Sequence, residues 1–214
     1  MTEELAEVRA RFNRVAAEWD SNPARVELAK GISKAIQNAV PISPAMAVLD
    51  FGAGTGLLTL GLLPYVAHVT AVDASDEMLR VLADKLKALG IENGTTRHCD
   101  IGQEPLPEAE YSLVVSSMVL HHIMDVPRTF MLLRRCLRPG GWIALADLDS
   151  EDGSFHPDPT GVFHKGFDRG QIFRWMEEAG FVDVSLQDTY QMKRMSAGEQ
   201  SRTYPIFLAT GRVS

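Results

Sequence analysis

Residues 47 to 56, Ala47-Val-Leu-Asp-Phe-Gly-Ala-Gly-Thr-Gly56, decide the fold. Val48 and Leu49 read as the end of a short buried strand, and Asp50 sits where that strand stops. Gly52, Gly54 and Gly56 make a tight loop with little side-chain bulk. Leu57 to Leu63 then restores apolar spacing suited to a helix. A strand feeding a glycine loop and then a helix lets backbone N–H groups approach a ligand closely. This order is the recurrent first unit of nucleotide-binding α/β folds.

Spacing narrows the ligand. A dinucleotide fingerprint, G-x-G-x-x-G, needs its third glycine at position 57, where Leu57 stands. A phosphate-cradling loop needs Gly-Lys-Ser/Thr, and no lysine lies here. The chain reads D-x-G-x-G-x-G instead. His68 to Asp73 reads as the second strand, ending in an acid about twenty residues after the glycines, where a carboxylate can accept ribose hydroxyls. Ser75 can cap the helix that follows, whose apolar face carries Met78, Leu82, Leu86 and Leu89. Thr95 to Ile101 reads as a third strand running into Asp100. Tyr111 to Ser116 is a fourth, apolar enough for burial on both faces. Ile143 to Asp147 is a fifth. Phe181 to Asp188 and Pro205 to Gly211 alternate as two closing strands, with no clear helix between them.

The glycine motif resembles the first motif of class I S-adenosylmethionine (SAM)-dependent methyltransferases. So do Phe12-x-x-x-Ala16-x-x-Trp19-Asp20, Leu120-His-His-Ile123 and Leu137-Arg-Pro-Gly-Gly141, which match the opening helix, fourth motif region and strand-leading turn of small-molecule members. The resemblance implies a three-layer Rossmann-like α/β fold. Its seven-stranded sheet is mostly parallel with an antiparallel last strand, beneath an N-terminal helical cap. It implies one domain over 1–214: a cap at 1–44, a SAM-binding half at 45–147, and a substrate-side loop with closing hairpin at 148–214. The cofactor set it implies is Asp50, Gly52, Ala53, Gly54 and Gly56 at the loop, then Asp73 and Ala74 at the ribose. Met78, Asp100 and Ile101 would lie around the adenine, with Ser116 at the fourth strand and Trp19 in the cap. S-adenosylhomocysteine would be the product. Trp19 is read equally well as plain core packing, and Met78 reads on general grounds first as a core methionine.

Composition is that of an ordinary globular protein, 45% hydrophobic and 23% charged, with a net charge of −7. No long basic run appears, which disfavours bulk nucleic acid. No apolar run approaches membrane-span length. Cys99 and Cys136 have no metal or redox spacing, so a reducing cytoplasm is expected. The expected partner is a small-molecule acceptor, with the protein a monomer or homodimer.

Residues 148 to 167 are long for a strand-to-helix connection and should hang over the ligand edge. They resemble a substrate-covering insertion; a plain surface loop is the alternative. If the acceptor must lose a proton, His122 and His164 are the expected bases, since histidine titrates near neutral pH. No metal is expected, because no third ligand is fixed near His121 and His122 by spacing. Three other readings remain open: a SAM-binding regulator or assembly subunit, a nicotinamide oxidoreductase, and a protein or RNA methyltransferase. Leu57 argues against the second. Ser116-Ser-Met-Val119, where many base-methylating enzymes carry Asn-Pro-Pro-Tyr, argues against the third.

Overall fold

The computed structural model describes residues 3–100, 104–195 and 201–214. The parallel strands are β1 (Ala47–Phe51), β2 (His68–Asp73), β3 (Gly94–His98), β4 (Tyr111–Ser117) and β5 (Leu137–Leu148). With β6 (Val182–Met195) and β7 (Ser201–Arg212) they form one seven-stranded sheet of order β3-β2-β1-β4-β5-β7-β6. β7 runs antiparallel to both β5 and β6. The expected sheet is therefore observed, including its antiparallel closing strand.

Strand side chains alternate between two cores, as a period of two requires. Val48, Leu113, Val115, Ala144 and Ala146 face one layer. That layer contains α2 (Pro23–Ala39), α3 (Leu57–Leu62) and α4 (Asp76–Ala88). Leu49, Val114, Ile143 and Leu145 face the other, formed by α5 (Val126–Cys136) and α6 (Arg169–Glu178). Leu28, Ile32 and Ile36 of α2 recur every four residues and are buried. Burying each such side chain contributes about 1.5–3 kcal/mol. Asn22 accepts the Ala24 N–H at 3.0 Å, and Pro23 fits the first turn of α2, which needs no proline N–H. Ser75, Asp125 and Asp168 cap α4, α5 and α6 in the same manner. Among the described residues no helix is long and apolar enough to cross a membrane.

Three local readings change. The first helix, α1 (Glu3–Val15), gives way to a tight 3-10 turn at Ala16–Ser21, so Trp19 leaves the helix axis. The Leu137-Arg-Pro-Gly-Gly141 turn already belongs to β5: the Gly140 N–H donates to Val213 O at 3.0 Å and the Val213 N–H to Gly141 O at 2.8 Å. Backbone groups of a sharp turn thus find partners on the chain's last residues. Finally, the polar stretch after Asp188 continues β6, pairing as far as Met195 with Ser201.

The strand order reverses at β1, between β2 and β4. In open α/β sheets the crevice beyond the strand C-termini at such a point is where ligands bind. The ends of β1, β2, β4 and β5 carry Asp50, Asp73, Ser117 and Asp147 to that edge.

Candidate functional site

After β1 the chain turns through Gly52, Gly54 and Gly56 at φ of 70°, 55° and 80°, values that side chains rarely adopt. The three glycines differ in what they face. A Cβ on Gly52 would sit 2.4 Å from Val119, and one on Gly56 would sit 2.2 Å from Leu82. A Cβ on Gly54 would meet only the Met78 sulfur, at 3.9 Å. Gly52 and Gly56 therefore admit close packing, while Gly54 opens onto space. The loop is strapped to β2: the Gly52 and Ala53 N–H groups donate to Val72 O at 2.8 and 3.0 Å. Asp73 then accepts the Gly54 N–H on one carboxylate oxygen and the Ser75 N–H on the other, both at 2.8 Å.

Asp50 is 1% exposed and accepts the Thr59 hydroxyl at 2.5 Å. Burial pushes its carboxyl up to about 7, against the Thr59 bond and with help from the nearby Asp73 charge. Burial also raises Asp73, opposed by its backbone donors.

The N-terminal cap is tied to this loop. Asp20 accepts the Thr55 hydroxyl at 2.6 Å and pairs with Lys85, which also donates to Thr55 O at 2.7 Å. Asn13 accepts the Ser75 hydroxyl at 2.6 Å. These contacts hold Phe12 and Trp19, edge-to-face at 5.8 Å, over the crevice. The Arg25 guanidinium lies 3.8 Å from the Trp19 ring centroid.

Across the crevice the chain leaves β4 through Met118 at φ 60°, a strained value for a residue with a side chain. His121 and His122 follow. Buried His121 shares a hydrogen bond between Nδ1 and Asp147 Oδ1 at 2.7 Å. Burial would raise Asp147, but the adjoining imidazole of His121 holds it below its ordinary value. His122 Nδ1 meets Gly161 O at 2.5 Å, and its ring packs edge-on against Phe12 at 5.2 Å. The 149–167 segment closes over this point. Phe163 N–H donates to His121 O at 2.9 Å, and Phe155 and His156 turn inward. Arg194 of β6 donates to Phe155 O and stacks 4.0 Å above its ring.

Together these elements enclose a cavity of about 390 Å³, within the range of small-ligand pockets. Asp50, Gly52, Ala53, Gly54, Asp73 and Ala74 line it. So do Met78, Asp100, Trp19 and His122. Three expected residues lie elsewhere. Gly56 points at Leu82. Ser116 is buried and donates to Phe51 O at 2.6 Å, joining β4 to β1. His164 bonds through Nε2 to Ile123 O at 2.9 Å and packs on Phe167, outside the cavity. Ile101 falls outside the described residues.

The expected base at His122 meets an obstacle as well. Burial, then the neighbouring His121, lowers His122 to about 3. An imidazole so shifted stays neutral at pH 7 and binds a proton weakly, far from the matched value that efficient base catalysis needs. Sequence reasoning missed Phe12, Arg25 and Arg194 as wall residues, and it counted His156 only among the acids, bases and aromatics of the 148–167 segment. Phe12 lay inside the quoted cap motif, so its signal was present. Arg194 and His156 carry no local signature.

The profile of a family described as a methyltransferase domain matches residues 49–145. An uncharacterized methyltransferase of Schizosaccharomyces pombe is 35% identical over 171 residues, covering 72% of this chain and 55% of that protein. The chain thus spans about half the length of this relative. An O-methyltransferase of Pyrenophora dematioidea is 27% identical over 210 residues, covering 92% of this chain and 78% of that protein. A crystal structure of a SAM-dependent methyltransferase from Aquifex aeolicus superposes with a TM-score of 0.69 at 19% identity, covering 96% of this chain and 98% of the other. A Rossmann-like sheet with a glycine loop at its switch point defines the class as an α/β nucleotide-cofactor protein. Within that class, residues 49–145 match the methyltransferase domain family, and the class I SAM-dependent methyltransferases, whose cofactor is SAM, are the proteins this chain is similar to in sequence and fold.

Proposed function

We propose that this chain transfers a methyl group from SAM to a small-molecule acceptor. The observation that carries the reading is the Gly54–Asp73 cradle: a glycine that leaves open space beside a carboxylate aimed along the same cavity. An ionised carboxylate offers about four acceptor sites. Two of those on Asp73 hold backbone N–H groups, leaving capacity for the two ribose hydroxyls. Gly54 and Ala53 would line the methionine part, with Asp50 near its ammonium. Ala74 and Met78 would flank the adenosine, and Asp100 would face the adenine. Phe12 and Trp19 would close the cap over the ligand and exclude water.

Bound SAM supplies an activated methyl on a sulfonium; the acceptor's lone pair takes the methyl and the carbon–sulfur bonding pair stays on sulfur. The protein's part is alignment, which removes much of the entropic barrier. The acceptor end of the cavity carries Arg25 and Arg194, both half-buried. Burial lowers both guanidiniums, and the Arg194 charge lowers Arg25 further. Two adjacent cations in a partly dry pocket favour an acceptor bearing a carboxylate or phosphate. The relative named an O-methyltransferase supports methyl transfer. Buried thiols at Cys99 and Cys136, raised by burial to about 11 and 12, suit a reducing cytoplasm.

The test is turnover with methyl-labelled SAM against a panel of small acids and phosphates. Equal amounts of S-adenosylhomocysteine and methylated acceptor support transfer. Tight SAM binding with no turnover on any panel member, nor on protein or RNA, would favour a regulatory role.

A further inference from the structure

We infer that His121, His122 and His156 form a binding site for one divalent transition metal, zinc in the first instance, with an open coordination position facing the cavity. One donor nitrogen from each of the three lies within 4.8 Å of the others. Their rings crowd together, with centroids 4.1, 4.9 and 5.4 Å apart. All three line the cavity described above.

The hydrogen bonds around the rings select which nitrogens are free. His121 Nδ1 is taken by Asp147, and His122 Nδ1 by the Gly161 carbonyl. With Nδ1–H donating to an oxygen, Nε2 carries the lone pair, the arrangement that orients metal-binding imidazoles in known sites. His156 brings the third donor: its Nε2 is buried and has no hydrogen-bond partner among the described residues. A buried imidazole nitrogen without a partner costs stability unless something binds it.

Tetrahedral zinc with Zn–N of about 2.0–2.1 Å would bring donors to roughly 3.3–3.4 Å apart. The three must therefore draw together by up to about 1.5 Å from their present limit of 4.8 Å. His156 is the ring able to supply that movement, because no hydrogen bond from the described residues holds its Nε2. Three neutral nitrogens match the His₃ set of catalytic zinc, and imidazole also suits copper, nickel and iron. Arg11 and Arg194 act against a dication here. The buried carboxylate of Asp147 offsets them in part, and an anionic acceptor atom in the fourth position would offset the rest. Such a metal would lower the pKa of a bound hydroxyl or thiol, releasing its proton to water and removing the need for a protein base. Only this last consequence rests on the methyltransferase reading; the metal site does not.

The test titrates chelator-treated, untagged full-length protein with cobalt(II) chloride, followed by visible absorption, and then displaces the cobalt with zinc. The expected result is one equivalent bound, with the intense d–d bands of four-coordinate cobalt. His156→Ala should weaken binding at least about tenfold, the scale seen when metal-site geometry is disturbed. His68→Ala, a histidine bonded to Thr95 far along the sheet, should leave it unchanged. S-adenosylhomocysteine affinity, measured in parallel, should stay within about twofold in His156→Ala. No saturable cobalt binding to folded wild type would overturn the site, as would binding that survives both His156→Ala and His122→Ala. Cobalt binding in a protein that ignores S-adenosylhomocysteine would keep the metal site and remove the methyltransferase reading.

Discussion

The two ends of the cavity are built by different means. At the cofactor end, one contiguous loop and the tip of β2 supply the polar groups, and main-chain hydrogen bonds fix each of them. Val72 O and Asp73 hold the glycine turn in place, and the Ser75 N–H donates to the other oxygen of Asp73. At the acceptor end, side chains converge from Phe12, Arg25, His121, His122, Phe155, His156 and Arg194, segments far apart in the chain. The first end is a backbone device, which a local sequence can specify. The second is a tertiary constellation, which requires the fold to bring its members together. Substitutions should therefore separate the two: loop changes strike folding or cofactor affinity, while acceptor-end changes strike turnover.

The largest contrast lies within the loop. Gly56→Ala places a methyl 2.2 Å from Leu82 at positive φ. Overpacking and left-handed strain together should cost about 3–5 kcal/mol in urea unfolding with an unchanged m-value. Gly54→Ala bears the strain without the clash, so about 1–2 kcal/mol is expected. Its loss should fall instead on S-adenosylhomocysteine affinity. Equal destabilisation by both would break the division between packing glycines and the cradle glycine.

Asp50→Asn comes next. The folded carboxyl is raised to about 7, so its contribution is fully favourable below its unfolded value near pH 4 and is lost as pH rises through 7. Replacing it should raise the unfolding free energy of the cofactor-free protein at pH 8 by on the order of 2–4 kcal/mol, with little change at pH 4. Cofactor affinity should fall in the same variant. A variant less stable at pH 8 would contradict the buried-acid assignment.

At the acceptor end, Arg194→Gln should lower kcat/KM for an acidic acceptor by about ten- to a hundredfold, the scale of one charged hydrogen bond. The Kd for S-adenosylhomocysteine should stay within twofold. The smallest effect is expected of His164→Ala, because the ring bonds to Ile123 O outside the cavity. There kcat/KM should remain within about twofold of wild type.

The same contrast governs what the sequence reveals. That Asp50, Gly52, Gly54, Asp73 and Asp100 share one cavity was legible because spacing along a strand–loop–helix unit is a one-dimensional signal. The sheet was legible for a related reason, since each strand end carried its own cap or turn. Ser116 lies off the cavity, because proximity to a strand terminus does not reveal which face a residue takes; its hydroxyl turns to Phe51 O. His164 and His156 sit eight positions apart in one irregular segment, and nothing local separates the one that enters the cavity from the one that does not. Only the inward turn at Phe155 and the Asp149–Phe167 bridge decide it. The third imidazole beside His121 and His122 lies more than thirty residues away, beyond any ligand-spacing pattern.

The most direct test of the central claim is calorimetric titration with S-adenosylhomocysteine, on wild type and on Asp73→Ala, with folding checked by thermal melting. Removing a charged acceptor from two ribose hydroxyls should cost on the order of 2–4 kcal/mol, a loss of roughly 30- to 1,000-fold in affinity. Micromolar one-to-one binding to wild type that collapses in the variant is the predicted result. Folded wild-type protein that does not bind, or a variant that binds as tightly, would contradict the account.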